Sequence, residues 1–251
     1  MNIRTEVPDA AALRNERPSR EIDSIVRVMS NPCDHGATNR FWLRQTHLLF
    51  GGLGVMLAYV LYHDESFLAH PKDPIWLHYK PFKWWLLPHG LGGACAILLG
   101  SLQFSEQCRQ RYQKLHRVLG RIYVVGVFVA APLGVYIQCF EERLGDSRSF
   151  TVAAVVNVIL LIGTTTVALV FVRKGRVQPH RQWMTRSFAV ALVFREARVI
   201  GGVTGLENLG NRAQETIVWA CLAFSILSAD LVLQSQELGA AIYLMQQPTC
   251  I

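Results

Sequence analysis

Histidine is the side chain in this sequence best suited to chemistry, and its placement is regular. His47, His116 and His180 each stand near the basic-flanked start of a different apolar stretch, and His89 enters the second stretch from its other end. Imidazoles contributed by separate helices are the usual axial ligands of a b-type haem, whose flat macrocycle also needs walls poor in side chains. On helical spacing His89 shares a face with Gly93, Ala96 and Gly100, and His47 shares one with Gly51, Gly54 and Ala58. His116 with His180 is the preferred ligand pair, and His47 the substitute. The competing reading treats the small residues, including Gly92, Ala96 and Gly100, as close-packing faces between helices. Each histidine then hydrogen-bonds a neighbouring helix.

Charge within an apolar segment is the second signal. Arg195, Glu196 and Arg198 interrupt the fifth stretch and Asp230 the sixth. Each such charge costs about 2.5–3.5 kcal/mol at the centre of an inserted helix, so they are expected to face inward and to have a task. Arg195 and Arg198 share a helical face, and His89 should reach a similar level. Together they describe a positive pocket suited to a haem propionate, a quinone-like oxygen or a lipid phosphate. The alternative is an internal salt-bridge network, Arg198 with Glu196 or Arg195 with Asp230. The second pair needs helix tilt, because Asp230 lies nearer the basic boundary. The His116–Arg117 and His180–Arg181 pairs, followed by Arg121 and Arg186, also suit interfacial anchoring to phosphate or carboxylate groups.

Other chemistries find no support. The segment His63–Lys83 carries His63, Asp64, Glu65, His70 and His78 in no recognised metal-ligand spacing, so no metal site is assigned. Its Trp76, Tyr79, Trp84 and Trp85 read as interfacial aromatic anchors. Phosphate-loop, nucleophile-elbow and zinc-protease motifs are absent, and Gly51-Gly52-Leu53-Gly54 lies inside an apolar helix. Six cysteines form no CxxC pair and read as small buried apolar residues.

The elements that must position these groups are long and greasy. Of 251 residues 51% are hydrophobic and 17% charged, against about 25% charged in soluble domains. Gln45–Tyr62, Trp84–Ser105, Ile122–Phe140 and Ser149–Val172 contain no Asp, Glu, Lys or Arg. A hydrocarbon core of roughly 30 Å takes about 20 helical residues. Adding Ser187–Leu206 and Thr216–Gln236 predicts an all-α, six-span integral membrane bundle, with spans near 45–62, 84–105, 119–140, 149–172, 186–206 and 214–236. Pro132 is expected to kink the third span. Residues 1–40 read as a tail with a short surface helix around Ile22–Met29, without a cleaved signal peptide, and 239–251 as a second tail.

Seventeen of the 25 Lys and Arg residues fall on the side of the amino terminus, six on the other and two within a span. That bias predicts both termini in the cytoplasm, in the cell membrane if the source is bacterial. The net charge of +7 then belongs to anionic inner-leaflet headgroups, with no nucleic-acid partner.

Two blocks carry a family resemblance. Leu86–Val125 contains Leu-His-Arg-x-x-Gly-Arg-x-Tyr from Leu115 to Tyr123, and Pro179–Val199 contains His-Arg-x-Trp-Met-x-Arg-Ser from His180 to Ser187. With His89, these blocks resemble the domain-of-unknown-function 2306 family of predicted multi-pass membrane proteins, over a region from about Trp84 to the end of the fifth span. The resemblance implies a membrane bundle and brings no established activity. The expectation is therefore a multi-pass membrane protein whose buried His and charged groups take an anionic or lipid-like ligand. The alternative is a b-type haem electron-transfer protein.

Overall fold

A computed structural model of the chain describes residues 35–63, 67, 70 and 72–246. The surface helix expected around Ile22–Met29 and the last five residues lie outside them. The chain divides into two units, 1–48 and 49–251; of the first, the structure describes a helix running from His35 to the boundary.

Among the described residues all regular structure is helical. In chain order the helices are α1 (His35–His63), the short α2 (Ile75–Tyr79), α3 (Lys83–Leu102), the short α4 (Glu106–Arg111), α5 (Gln113–Arg143), α6 (Arg148–Arg173), α7 (Val177–Thr204) and α8 (Asn211–Gln246). A 3₁₀ turn, Leu206–Leu209, joins the last two. Four helices are long and apolar enough to cross a membrane: α3, α5, α6 and α8 over Asn211–Gly239. Two of the six expected spans do not reach that mark. The described apolar part of α1 runs only from Phe50 to His63, and α7 carries Arg186, Arg195, Glu196 and Arg198. Helix α8 also continues to Gln246, well into the stretch expected as a tail, and α5 stays helical through Pro132.

Neighbours run antiparallel. His89 and Gly92 of α3 meet Ala130 and Gly126 of α5, while Gly100 meets Tyr123 nearer the start of α5. Helix α6 pairs Ala168 with His180 of α7 and Thr165 with Ser187. Helix α8 pairs Asp230 with Arg186 and Ser225 with Glu196. The α6–α7 turn bends on Gly175 at φ +71°, and α7 ends on Gly205 at φ +70°, conformations in which a Cβ is strained. The turn regions α3–α5 and α6–α7, rich in Lys and Arg, therefore share one end of the bundle, here called the basic end.

Helix α7 is the hub. Phe188 packs at Gly100 of α3, Ser187 bonds Tyr123 of α5, and Tyr59 of α1 lies against Gly202. This explains how the least apolar long helix occupies the centre: its polar groups meet partners on surrounding helices rather than hydrocarbon. The outer faces are the reverse. Leu91, Ile159, Phe224 and Leu231 are each more than 60% exposed, a greasy perimeter that matches lipid rather than water.

Candidate functional site

The site is built on two parallel helices that begin at the basic end. His116 is the fourth residue of α5 and His180 the fourth residue of α7. Both are half-buried, whereas the arginines beside them, Arg117 and Arg181, are exposed. The Nδ1–H of His180 donates to the Ala168 carbonyl on α6 at 2.9 Å. That bond fixes the ring and leaves Nε2 for another partner. His116 lies within electrostatic range of both His180 and Arg109. Its Nδ1 is buried and has no hydrogen-bond partner in the protein.

Gln103 completes the cluster. It follows the end of α3, and its side-chain amide lies against Gly120, one turn beyond His116, where a Cβ would sit 3.6 Å from Oε1. Its Nε2 is likewise buried without a partner. Buried polar atoms nearly always find partners, so orphans on His116 and on the side chain packed one turn further along α5 mark a region where something polar belongs. Gln103 Nε2 can only donate, and His116 Nδ1 donates when it carries the proton. The chemistry offered is that of N–H donors without an acceptor, in a region with an arginine nearby.

Two turns deeper lies a closed hydroxyl cluster. The Tyr123 and Ser187 oxygens are 2.7 Å apart, the Ser187 and Thr165 oxygens 2.7 Å, and Thr165 Oγ1 donates to the Leu161 carbonyl at 2.6 Å. All three side chains are fully buried. Because Thr165 has spent its only proton, Ser187 must donate to Thr165 and Tyr123 to Ser187. Seven residues separate His116 from Tyr123, and seven separate His180 from Ser187. The two sequence blocks are thus matched edges of parallel helices in register at both ends. Tyr123, Ser187, Thr165 and Gln103 were missed as candidates from sequence. The equal His-to-hydroxyl spacing was the available signal.

The remaining candidates distribute as follows. His89 donates its Nδ1–H to the Ala130 carbonyl at 2.8 Å. Its ring fills the space over Gly134, where a Cβ would fall 2.9 Å from Cε1. The α5–α7 register carries Ala130, and His89 with it, to the level of Phe194 and Arg195. Arg195 is half-buried and Arg198 exposed. Glu196 accepts from Ser225 at 2.9 Å. Asp230 accepts from Arg186 Nε at 2.7 Å, and that guanidinium also stacks over Trp183. The structure thus brings His116 and His180 together, puts His89 at the depth of Arg195, and gives Glu196 and Asp230 different partners, Ser225 of α8 and Arg186 of α7. His47 lies in α1, and its side chain is outside the described residues.

The small-residue positions of α3 are filled at Gly92 and Gly100 and open at Gly93. A Cβ on Gly126 would meet the Gly92 carbonyl at 2.7 Å, and one on Gly100 would meet the Tyr123 and Phe188 rings at 2.8 and 2.9 Å. Backbones and rings occupy the strip at those positions, as in close-packed membrane helices. At the far end, Nε2 of His78 on α2 meets both Glu141 oxygens at 2.9 and 3.1 Å. Among the described residues no three His, Cys, Asp or Glu side chains group as metal ligands.

Comparison with known proteins adds one relationship. No curated protein and no solved structure matches the chain. A family model described as a predicted membrane protein, DUF2306, matches residues 86–233, from α3 into α8. That span covers well over half of the chain and contains Gln103, His116, Tyr123, His180 and Ser187. The chain belongs to the DUF2306 family of predicted membrane proteins.

Proposed function

We propose that this membrane protein binds an anionic, oxygen-rich group, a phosphate or carboxylate, at the basic end of its bundle. Gln103 Nε2 and His116 Nδ1 donate to its oxygens, while Arg109 supplies positive charge. The observation that carries the reading is a pair of buried, unpartnered nitrogens, on His116 and on Gln103, whose side chain lies against Gly120 one turn along α5. Arg173, Lys174 and Arg176 in the α6–α7 turn raise the local concentration of anions. This end is assigned to the cytoplasmic face from the excess of Lys and Arg there. Glu196 with Ser225, and Asp230 with Arg186, hold α7 to α8.

The test uses the full chain in detergent. Short-chain phosphatidic acid and, separately, inorganic phosphate are titrated while thermal unfolding is followed. Stabilisation by either, abolished in Gln103→Ala and His116→Ala, supports the reading, and the two titrants separate a lipid headgroup from a free anion. An equal shift in wild type and both variants refutes it.

A second reading, a b-type haem held by His116 and His180, is favoured by the His180 ring. Its Nδ1–H bond to Ala168 leaves Nε2 as the ligating atom, the arrangement common to metal-bound histidines. The group would supply one-electron transfer. Against it, the α3 strip offered as a wall, Gly93–Ala96–Gly100, is filled at Gly100 by the Tyr123 and Phe188 rings. An absorption spectrum before and after dithionite decides. A Soret band that disappears in His116→Ala and His180→Ala establishes this reading, and its absence under adequate haem supply removes it.

A further inference from the structure

At the end of the bundle opposite His116, α7, the Leu206–Leu209 turn and α8 enclose an open groove of about 530 Å³. Ile200, Leu206, Ile217, Ala220 and Phe224 line it. Its single hydroxyl, on Thr216, is spent on the Arg212 carbonyl at 2.9 Å. The walls therefore offer no free hydroxyl proton and are otherwise apolar but for the Cys221 thiol, so hydrocarbon is what they suit. From Ala213 to Phe224 the groove follows α8 for eleven residues, about 16 Å. Half of a hydrocarbon core of roughly 30 Å is about 15 Å, so its length is that of one chain in one leaflet.

The rim names the headgroup. Arg212 is exposed, directly precedes the lining residue Ala213, and lies on the helical face of Thr216 and Ala220, four and eight residues on. Glu215 stands half-buried on the adjoining face of the same turn. A cation and an anion side by side at headgroup depth complement a zwitterionic headgroup, phosphate toward Arg212 and ammonium toward Glu215.

We infer that this groove seats one acyl chain of a zwitterionic phospholipid whose headgroup is held by Arg212 and Glu215. The site is independent of the anion site at the basic end. The experiment is native mass spectrometry of the full chain, extracted into mild detergent and exposed to phosphatidylethanolamine and phosphatidylglycerol at equal concentration. Wild type should keep one phosphatidylethanolamine per chain. Ala220→Trp, at an exposed position that a large ring can fill without invading the core, should lower that occupancy at least tenfold. Arg212→Gln should lower occupancy of both lipids, and Glu215→Gln should shift preference toward phosphatidylglycerol. The inference is overturned by equal occupancy in wild type and Ala220→Trp, by no preference between the lipids in wild type, or by a wild-type dimer that Ala220→Trp dissociates. Should Ala220→Trp fail to fold, the two rim variants still decide, because neither touches the core.

Discussion

The direction of the buried hydroxyl chain makes a prediction that its distances alone do not. Three side chains join α5, α6 and α7 at one level, and each donates the same way, Tyr123 to Ser187 to Thr165 to the Leu161 carbonyl. Ser187→Ala removes the acceptor of the Tyr123 proton and leaves a phenol O–H fully buried with nowhere to point. A stranded buried donor costs about 1–3 kcal/mol. Hydrogen bonds between membrane helices average nearer 0.6 and reach about 1.7 kcal/mol, which sets the expected loss at about 1–2 kcal/mol. Tyr123→Phe strands only a lone pair on Ser187, whose own proton is still engaged, and should cost well under 1 kcal/mol. Thr165→Val strands the Ser187 proton and should resemble Ser187→Ala. The double variant Tyr123→Phe/Ser187→Ala has no stranded donor and should be more stable than Ser187→Ala alone. Unfolding of detergent-solubilised protein by SDS in mixed micelles, followed by circular dichroism, gives all four values. Equal losses in Tyr123→Phe and Ser187→Ala that add in the double variant would refute the directional chain.

Two glycines on one face of α3 should behave oppositely. Gly100→Ala drives a Cβ to 2.8–2.9 Å from two buried rings and should cost about 1–3 kcal/mol, while Gly93→Ala meets nothing within 4 Å and should be neutral or mildly stabilising by the same assay. Arg186→Gln leaves Asp230 without its ion-pair partner, so the double variant Arg186→Gln/Asp230→Asn should melt above Arg186→Gln alone; a double variant no better than the single would mean the carboxylate is solvated in place. The buried Asn157 oxygen has no partner within the protein, so Asn157→Leu, of similar volume, should hold or raise the melting temperature, and a fall of several degrees would show that the amide oxygen has a partner there.

Much of the architecture was legible because a bilayer writes long uncharged runs into a sequence. Helices α3, α5, α6 and α8 follow from stretches free of charge or nearly so, and their alternation follows from where Lys and Arg collect. Helix α7 was the harder case. Its windows hold Arg186, Arg195, Glu196 and Arg198, which hydropathy counts as penalties, yet partners such as Ser225 and Asp230 lie on α8, and a window over α7 cannot see them. The site shows the same limit. His116 and His180 stood out by residue type and position. Gln103 and the Thr165 hydroxyl carry no signal, because their importance comes from Gly120 and Ser187, distant in sequence. The Gly93–Ala96–Gly100 stripe was visible, but a stripe of small residues reads equally as a wall or as a helix contact. Only the rings of Tyr123 and Phe188 over Gly100 separate the two.

The His-Arg pairs at the starts of α5 and α7 invite a single explanation, either anchor or site, yet the two residues of each pair point to different neighbours. Arg117 and Arg181 are exposed, where a guanidinium reaches headgroups and gains from them without desolvation. The histidines turn inward. His180 spends a proton on a carbonyl of α6, a bond that an interfacial anchor has no need to make. His116 buries a nitrogen with nothing in the protein to receive it. Leaving a buried polar atom unpaired costs about 1–3 kcal/mol, and an exposed rotamer toward the headgroups would avoid that cost. Anchoring therefore accounts for the arginines and leaves the inward nitrogens unexplained. The proposed anionic ligand, accepting from Gln103 and His116, would account for these orphans, in the place where the two sequence blocks meet.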